Sequence, residues 1–252
     1  MNKPLTNNCA LVVPCYNEAD RLQKVAFTEY LSCSTSASIV FVNDGSTDGT
    51  LAILRELASA MPSKVQVLDK QPNAGKAEAV RHGMLHALKT PGLAYVGFWD
   101  ADLATPLHAV DDLLGVLTNH PKLEIVLGSR VRLMGRHIER RAARHYMGRV
   151  FATCASIVLG LPLYDTQCGA KLFRATPNLA QILQRPFLSR WIFDVEIIAR
   201  FLQLHHGNKE LTELIYEFPL THWKDIAGSK LRSRDFYKAV RELWIIRKRY
   251  FS

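Results

Sequence analysis

Short apolar segments alternate along the chain with longer segments in which apolar residues recur every three or four positions. Five of the short segments are rich in β-branched or aromatic residues and carry almost no charge before their last residue. This composition is typical of strands that are buried on both faces of a sheet. The predicted strands span residues 9–14, 38–44, 64–69, 94–100 and 123–129.

The segments between these strands have helical periodicity. In the second of them, Leu51, Leu54 and Leu57 follow a spacing that presents one apolar face to a sheet. Strands that alternate with helices form a mainly parallel sheet, so we expect an α/β fold with a Rossmann-like sheet and helices on both faces. The predicted helices are Glu18–Leu31, Asp48–Ala60, Lys76–Leu88 and Leu107–Thr118.

The residues at the carboxyl ends of four of the strands are polar. Ligands of such sheets bind beyond the carboxyl ends of the strands, so these endings would open onto one rim. The first strand is not followed by G-x-G-x-x-G, and G-x-x-x-x-G-K-[ST] is missing from the sequence. A nucleotide would therefore be held by carboxylates and backbone amides. The four endings read "PCYNE", "NDGSTDG", "DAD" and "GSR".

Asp100 and Asp102 flank a single alanine at the end of the fourth predicted strand. Residues i and i+2 of an extended segment project on the same side, so both carboxylates can point to the rim. Hard oxygen ligands suit Mg²⁺ or Mn²⁺, and Mg²⁺ sites use one or two carboxylates with substrate phosphates and waters. Taken alone, the pair also fits two solvated loop aspartates, and the Asp44 turn also fits an ordinary strand–turn–helix connection.

Length and composition predict one main globular domain. The chain has 252 residues, of which 48% are hydrophobic and 22% charged. Its five cysteines are odd in number and form no C-x-x-C pair, which favours neither a disulfide framework nor a zinc site and fits a reducing, cytoplasmic setting. We expect no signal peptide and no membrane span, because no segment has 18 consecutive apolar residues.

The net charge of +9 is concentrated in two segments. Residues 130–149 contain seven arginines and one acid, and residues 230–252 contain eight lysines or arginines and two acids. Such segments favour a basic surface for polyanions such as nucleic acid, anionic lipid head groups or phosphorylated substrates. Each segment alone is equally compatible with a solvated helix face.

Seven motifs follow one another in the order seen in family 2 glycosyltransferases of the GT-A fold. The set most resembles the polyprenyl-phosphate glycosyltransferases, particularly the dolichyl-phosphate β-glucosyltransferases, and it spans about residues 9–230. Each motif is weak alone, but the ordered set is specific. The motifs are "VVPCYNEADRL", "VNDGSTDGT", "NAGKAEAVRHGM", "DADLATP", "GSR", "DTQCGAKLF" and "RWIFDVEII".

The resemblance implies roles for individual residues. Asp100 and Asp102 match the pair that binds the donor diphosphate through Mg²⁺ or Mn²⁺, with Asp102 as the direct ligand. Arg130 matches an arginine that faces phosphates, and with Arg144 it is our candidate for binding the acceptor phosphate. We assign nucleoside binding to Pro14, Tyr16, Glu18 and Asp44, and a place beside the donor to Asn73, Gly75 and Lys76.

Two positions depart from the pattern of relatives. Some mannosyl members read "DADLQHP" where this chain has "DADLATP", so a glutamine that could ligate the metal is replaced by Ala104. The motif "DTQCGAKLF" has Ala170 where a phenylalanine is common, and with the later "DIAGSK" it resembles the glucosyl branch. These differences weaken a mannosyl assignment.

The expected reaction is an inverting transfer of a hexose from a nucleotide sugar, UDP-glucose or a related UDP-hexose, to a polyprenyl or dolichyl phosphate. A metal would act as a Lewis acid on the leaving nucleoside diphosphate. A phosphate acceptor is already anionic, so it needs no strong general base. The alternatives are a family member that uses GDP-mannose or a non-lipid acceptor, and a non-catalytic scaffold at a membrane surface or on nucleic acid. Nucleic-acid binding is disfavoured, because the sequence contains no helix-turn-helix or RNA-binding motif.

Asp194, in "WIFDVEII", is a further candidate catalytic residue. An apolar setting would perturb the pKa of its carboxyl group, as it does in active sites. The alternative is a helix-terminal carboxylate that is bonded to neighbouring backbone.

We predict a GT-A domain over residues 1–229 and a basic amphipathic helical extension over residues 230–252. The extension has apolar residues on one face beside lysines and arginines, and Val150–Tyr164 is a charge-free segment suited to an interface or a core. The prediction is a peripheral enzyme at the cytoplasmic membrane face; a helix packed on the core or in a homodimer is the alternative. The apolar residues of the extension are Phe236, Val240, Leu243 and Trp244.

Overall fold

The computed structural model describes residues 8–34, 36–205, 213–226 and 233–251, with the side chains of 233–237 left out. Phe236 and most of the "DIAGSK" motif therefore lie outside the described part. Nine strands are described: β1 (Cys9–Cys15), β2 (Ala37–Asp44), β3 (Val65–Lys70), β4 (Tyr95–Trp99), β5 (Ile125–Ser129), β6 (His137–Glu139), β7 (Ala170–Arg174), β8 (Ile215–Pro219) and β9 (His222–Lys224).

Eight α-helices lie between or after these strands in the described part of the chain. Their bounds are α1 (Lys24–Cys33), α2 (Thr50–Ala60), α3 (Lys76–Ala87), α4 (Ala109–Asn119), α5 (Ala142–Leu159), α6 (Pro177–Gln184), α7 (Phe193–Leu204) and α8 (Ser233–Tyr250).

Seven of the strands form one sheet in the order β3-β2-β1-β4-β7-β5-β8, and β6 pairs with β9 in a small parallel ribbon. The five predicted strands are confirmed as β1 to β5. The prediction of helices on both faces is also confirmed: α1, α2 and α4 bury their apolar residues on one face, and α3, α5, α6, α7 and α8 on the other.

Strand β7, which was not predicted from the sequence, inserts antiparallel between β4 and β5. Gly97 of β4 allows this pairing, because a Cβ there would lie 2.1 Å from the carbonyl oxygen of Lys171. Two antiparallel steps restore the direction, so β5 runs parallel to β4. The carboxyl ends of β1, β2, β4 and β5 therefore share one edge, as predicted.

Helix α1 begins at Lys24, six residues later than predicted. The intervening residues form a turn that is tied to the N-terminal end of α2. The amide of Glu18 donates to Thr50 Oγ1 (2.8 Å), and the amide of Ala19 donates to Asp48 Oδ2 (3.1 Å). These bonds compete with helix formation and keep the loop after β1 at the rim.

None of the described helices combines the length and apolar character needed to cross a membrane. Helix α8 packs on α5 and α7 through Leu243 and Ile246, both of which are buried. Packing on the core, the alternative stated above, is thus correct for this face of the helix.

Candidate active site

The loop after β3 is held at the rim by Asp44, the last residue of β2. One carboxylate oxygen of Asp44 accepts the amide of Ala74 (3.0 Å) and the other accepts the amide of Gly75 (2.7 Å). The side-chain amide of Asn73 donates to the Asp44 carbonyl oxygen (2.8 Å). Asp44 is buried, so in this arrangement its carboxylate orients the loop that ends at Lys76.

Gly75 precedes α3 with φ +95°, a conformation that favours glycine. The guanidinium of Arg190 lies against this backbone and donates to the Ala74 carbonyl oxygen (3.0 Å). Lys76, the first residue of α3, forms an ion pair with Asp100. The loop thus carries a cation to the acid pair at the end of β4.

The loop after β1 lies beside this segment. Pro14 belongs to β1, and Tyr16 exposes its ring at the rim. The carboxylate of Glu18 accepts from Arg21 (2.6 Å). The amide of Asn17 donates to Ser46 Oγ (3.0 Å), which joins the loop after β1 to the loop after β2. The structure therefore brings together the residues predicted to bind the donor.

The two carboxylates of the D-x-D motif stand at the end of β4. The amide of Asp100 donates to the Gly169 carbonyl oxygen (3.0 Å), and a Cβ on Gly169 would lie 1.9 Å from Asp100 Oδ2. Gly169 thus makes room for the Asp100 carboxylate. Asp102 Oδ1 accepts the amide of Ala104 (3.1 Å), while burial and the charge of Asp100 raise the pKa of Asp102.

The donor set of this pair fits a hard divalent cation. Two carboxylates within mutual electrostatic reach repel each other, and a cation between them would relieve this repulsion. No group of three or more His, Cys, Asp or Glu suited to a metal occurs in the described ranges. Two carboxylates are a sufficient protein contribution to a Mg²⁺ site when phosphate oxygens and water complete the coordination.

Asp194 lies in the first turn of α7 and forms a buried ion pair with Lys171 of β7 (2.6 Å). The Lys171 side chain is 1% exposed, and its ammonium also donates to the Cys168 carbonyl oxygen. A cation, not the neighbouring backbone, is therefore the partner of Asp194. The signal for Lys171 in the sequence was a single charge inside the apolar run "GAKLF".

Arg130 follows β5 and forms a two-point contact with Asp165: Nε to Oδ2 is 2.6 Å and Nη2 to Oδ1 is 2.8 Å. Burial opposes ionisation of Asp165, but the Arg130 charge and hydrogen bonds lower its pKa to about 2. Glu217 of β8 supports this arrangement by accepting the amides of Tyr164 and Asp165, each at 2.7 Å. Arg130 is thus a neutralised, fixed cation.

Arg144 of α5 pairs with Asp225 at 2.5 Å. Sequence reasoning missed both Glu217 and Asp225, because each lies more than 50 residues from its partner. Their only sequence signal is a charge in or beside a short strand.

Comparison with known proteins adds to this geometry. The sequence profile of Glycosyl transferase family 2 matches residues 10–178. The dolichyl-phosphate beta-glucosyltransferase of Saccharomyces cerevisiae is 32% identical over 265 residues, covering 96% of this chain and 74% of the yeast protein. The polyprenol monophosphomannose synthase of Mycolicibacterium smegmatis is 28% identical, with 97% and 89% covered.

A solved structure shares the fold. Glucosyl-3-phosphoglycerate synthase from Mycobacterium tuberculosis, crystallised with Mn²⁺, UDP and glucosyl-3-phosphoglycerate, has a TM-score of 0.63 and 18% identity. The match covers 96% of this chain and 78% of that chain. The topology built around the rim is therefore that of a known enzyme fold.

Proposed function

The chain belongs to glycosyltransferase family 2 and is a glycosyltransferase of the GT-A fold, and from this premise we propose that it transfers a hexose from UDP-glucose, or a related UDP-hexose, to a polyprenyl or dolichyl phosphate with inversion. The observation that carries the proposal is the rim itself. Asp100 forms an ion pair with Lys76, and its charge also acts on Asp102 and on Arg130. We assign the Lys76 side of the acid pair to a leaving diphosphate and the Arg130 side to an incoming phosphate.

The donor half of this site is the group of loops after β1, β2 and β3. The exposed ring of Tyr16 and the carboxylate of Glu18 stand where a nucleoside would be held, and Pro14 fixes the start of that loop. Asp44 and Asn73 contribute by holding Gly75 and Lys76 in place. The side chains needed for donor binding are thus preorganised by hydrogen bonds within the protein.

Asp100 and Asp102 would hold Mg²⁺ or Mn²⁺ together with oxygens of the donor diphosphate. The ion would supply Lewis-acid stabilisation of the departing nucleoside diphosphate. Lys76 adds a positive charge at the same place, since its ammonium group forms an ion pair with Asp100. Asp194 contributes to the field at the rim, because its charge acts on both Lys171 and Lys76.

The acceptor half is formed by two arginines, Arg130 after β5 and Arg144 in α5. A phosphate monoester carries between one and two negative charges at neutral pH, so its oxygen is already a nucleophile. Arg130 and Arg144 would orient this phosphate while Asp165 and Asp225 hold the two guanidinium groups in place. The reaction then needs positioning more than a strong general base.

A lipid acceptor calls for contact with a membrane surface, and we assign this to exposed apolar residues on α5 and α8. The two helices pack on each other, and both present large apolar side chains outward. Basic residues end α8, as in helices that lie at anionic membrane surfaces. We call these residues the apolar helical surface: Tyr146, Met147, Val150 and Ile157 of α5, with Val240 and Trp244 of α8.

Helix α8, the described part of the predicted extension, is a two-sided helix, so the prediction that Leu243 shares one face with Val240 and Trp244 is wrong. Leu243 and Ile246 face the core, whereas Val240 and Trp244 face outward. We propose a peripheral location at the cytoplasmic face of a membrane, and burial of the same surface in a homodimer is the competing outcome.

The proposal is tested with a panel of UDP- and GDP-sugars, each with Mg²⁺ or Mn²⁺ and a polyprenyl phosphate. We expect release of UDP and formation of a glycosylated lipid phosphate from UDP-glucose. GDP-mannose is included because the mycobacterial relative is named as a polyprenol monophosphomannose synthase. Turnover with GDP-mannose alone would replace the donor assignment, and turnover only with soluble acceptors would overturn the lipid assignment.

A further inference from the structure

Arg140 differs from the neighbouring arginines of the acceptor half in having no carboxylate partner. Arg130 is paired with Asp165 and Arg144 with Asp225. Within the described ranges, no carboxylate lies at ion-pair distance from the Arg140 guanidinium, which is partly buried beside α5. This cluster of three arginines and two aspartates keeps one positive charge in excess, and that charge belongs to Arg140.

The helix α5 is shaped to receive this side chain. A Cβ on Gly148 would lie 2.4 Å from Arg140 Nη2, so the guanidinium rests directly on the helix backbone. Glycine in the middle of a helix costs about 0.5–1 kcal/mol relative to alanine. Gly148 lies one turn after Arg144 on the same helix face, so the Arg140 guanidinium and Arg144 are neighbours.

The electrostatic surroundings place Arg140 next to the rim. Burial and then the charge of Arg130 lower the pKa of Arg140 to about 10, while the charges of Asp165 and Asp225 act in the opposite direction. Burial opposes the charge of Arg130, but Asp165 and, at longer range, Asp100 raise its pKa. A continuous group of charges thus leads from the acid pair through Arg130 to Arg140.

We propose that Arg140 binds the phosphate monoester of the acceptor and that Gly148 positions its guanidinium for this contact. The inference rests on the proposed function and deepens it by naming the residue that supplies the unneutralised charge. Arg130 and Arg144 line the same site, but their carboxylates already compensate them. A phosphate group would provide Arg140 with an anion in direct contact, which no described carboxylate supplies, through hydrogen bonds strengthened by charge.

Direct binding tests the inference without sugar transfer. The probes are citronellyl phosphate, a short isoprenoid monophosphate, inorganic phosphate and UDP, each titrated calorimetrically into the full-length protein. Arg140→Gln should weaken citronellyl phosphate binding by about 10- to 100-fold, the range for loss of a charged hydrogen-bond partner, and leave UDP binding unchanged. The matched control is Arg141→Gln, which removes the same charge from the adjacent, exposed position and should bind both ligands like the wild type.

Gly148→Ala provides a second variant that keeps every charge. The added methyl group must displace the guanidinium, while alanine favours the helix. We expect weaker citronellyl phosphate binding with no loss of thermal stability. Inorganic phosphate distinguishes the sources of the anion: if it binds as tightly as the isoprenoid ester, the site is for free phosphate and the acceptor assignment is wrong.

Three further results would overturn the inference: unchanged citronellyl phosphate binding in Arg140→Gln, equally weakened binding in Arg141→Gln, or weaker binding of UDP in place of citronellyl phosphate. The proposed function has its own readout, which is transfer of the sugar to citronellyl phosphate by the wild type. If the ester binds through Arg140 but receives no sugar, the phosphate site stands and the proposed function fails.

Discussion

The ammonium group of Lys76 forms an ion pair with the carboxylate of Asp100, and this contact joins the loop after β3 to the end of β4. Burial opposes the charge of Lys76, but Asp100, with Asp194 and Asp102 at longer range, raises its pKa. Lys76 is therefore charged at neutral pH. The acid pair and its cation form one unit, in which the position of Lys76 depends on the loop bonds to Asp44.

Lys76→Met should lower kcat/KM for the sugar nucleotide by about 10- to 100-fold, because it removes a cation from the place where the diphosphate leaves. Steady-state kinetics with varied donor checks this. Lys89→Met, at an exposed position after the same helix, is the matched control and should resemble the wild type. Equal kinetics for the two variants would show that Lys76 does not contribute to the donor site.

Asp102→Asn should abolish the part of UDP binding that depends on Mn²⁺, because an amide is a poorer ligand than a carboxylate for a hard cation. Titration calorimetry with and without Mn²⁺ measures this difference. The control is Asp112→Asn, which removes a carboxylate from the exposed face of α4. It should leave the Mn²⁺-dependent part of UDP binding unchanged. If Asp102→Asn retains the metal-dependent part, the proposed metal role of this residue is wrong.

Gly169→Ala should reduce kcat by more than about tenfold, because the new Cβ would occupy the place of the Asp100 carboxylate and force it away from Lys76. The control is Gly115→Ala in α4, where nothing lies within 4 Å of the added atom. That variant should keep full activity and gain about 0.5–1 kcal/mol of stability. Activity assays and thermal unfolding of both proteins decide between a local and a general effect.

The strand endings were predictable from sequence because the strands carry almost no charge before their last residue. A buried parallel strand must be apolar throughout, and the rule that ligands bind at carboxyl ends then brings Asp44, Asp100 and Arg130 together. The structure confirms this arrangement of the strands. The helical periodicity identified α2 to α4 to within about two residues for the same reason, since a single apolar face determines them.

The ion-pair partners could not be predicted, because they depend on contacts between distant segments. Asp165 lies 35 residues from Arg130, and Asp225 lies 81 residues from Arg144. Strand β7 was missed because it contains Lys171, whose charge argues against burial until Asp194 is brought beside it. Tertiary pairing, not local pattern, decides such positions.

Trp244→Ser should weaken binding to vesicles that contain anionic lipid, because the side chain is 63% exposed on the apolar helical surface. Vesicle sedimentation measures the change. The stability of the fold should be unaffected, since the buried contacts of α8 come from Leu243 and Ile246. Tyr216→Ser, which removes an exposed aromatic ring from β8, is the control. If both variants sediment equally with vesicles and a dimer dissociates only in Trp244→Ser, the apolar helical surface serves self-association and not membrane binding.

The Arg130–Asp165 pair predicts a loss of stability in acid. The pKa of Asp165 is about 2 in the folded protein against an ordinary value of 3.8, so the unfolded state binds the proton first. The stabilisation is complete above about pH 4 and is lost as the pH falls toward 2. At 1.36 kcal/mol per pKa unit, it amounts to about 2 kcal/mol.

Asp165→Asn assigns this acid effect to the pair. The variant should be less stable at neutral pH by about 3–5 kcal/mol, because it leaves the Arg130 guanidinium buried without its partner. Its deficit relative to the wild type should narrow by about 2 kcal/mol between pH 6 and pH 2, as measured by urea unfolding. Asp20→Asn, at an exposed carboxylate, should keep the wild-type pH dependence. A deficit for Asp165→Asn that stays constant with pH would show that the acid loss arises from other carboxylates.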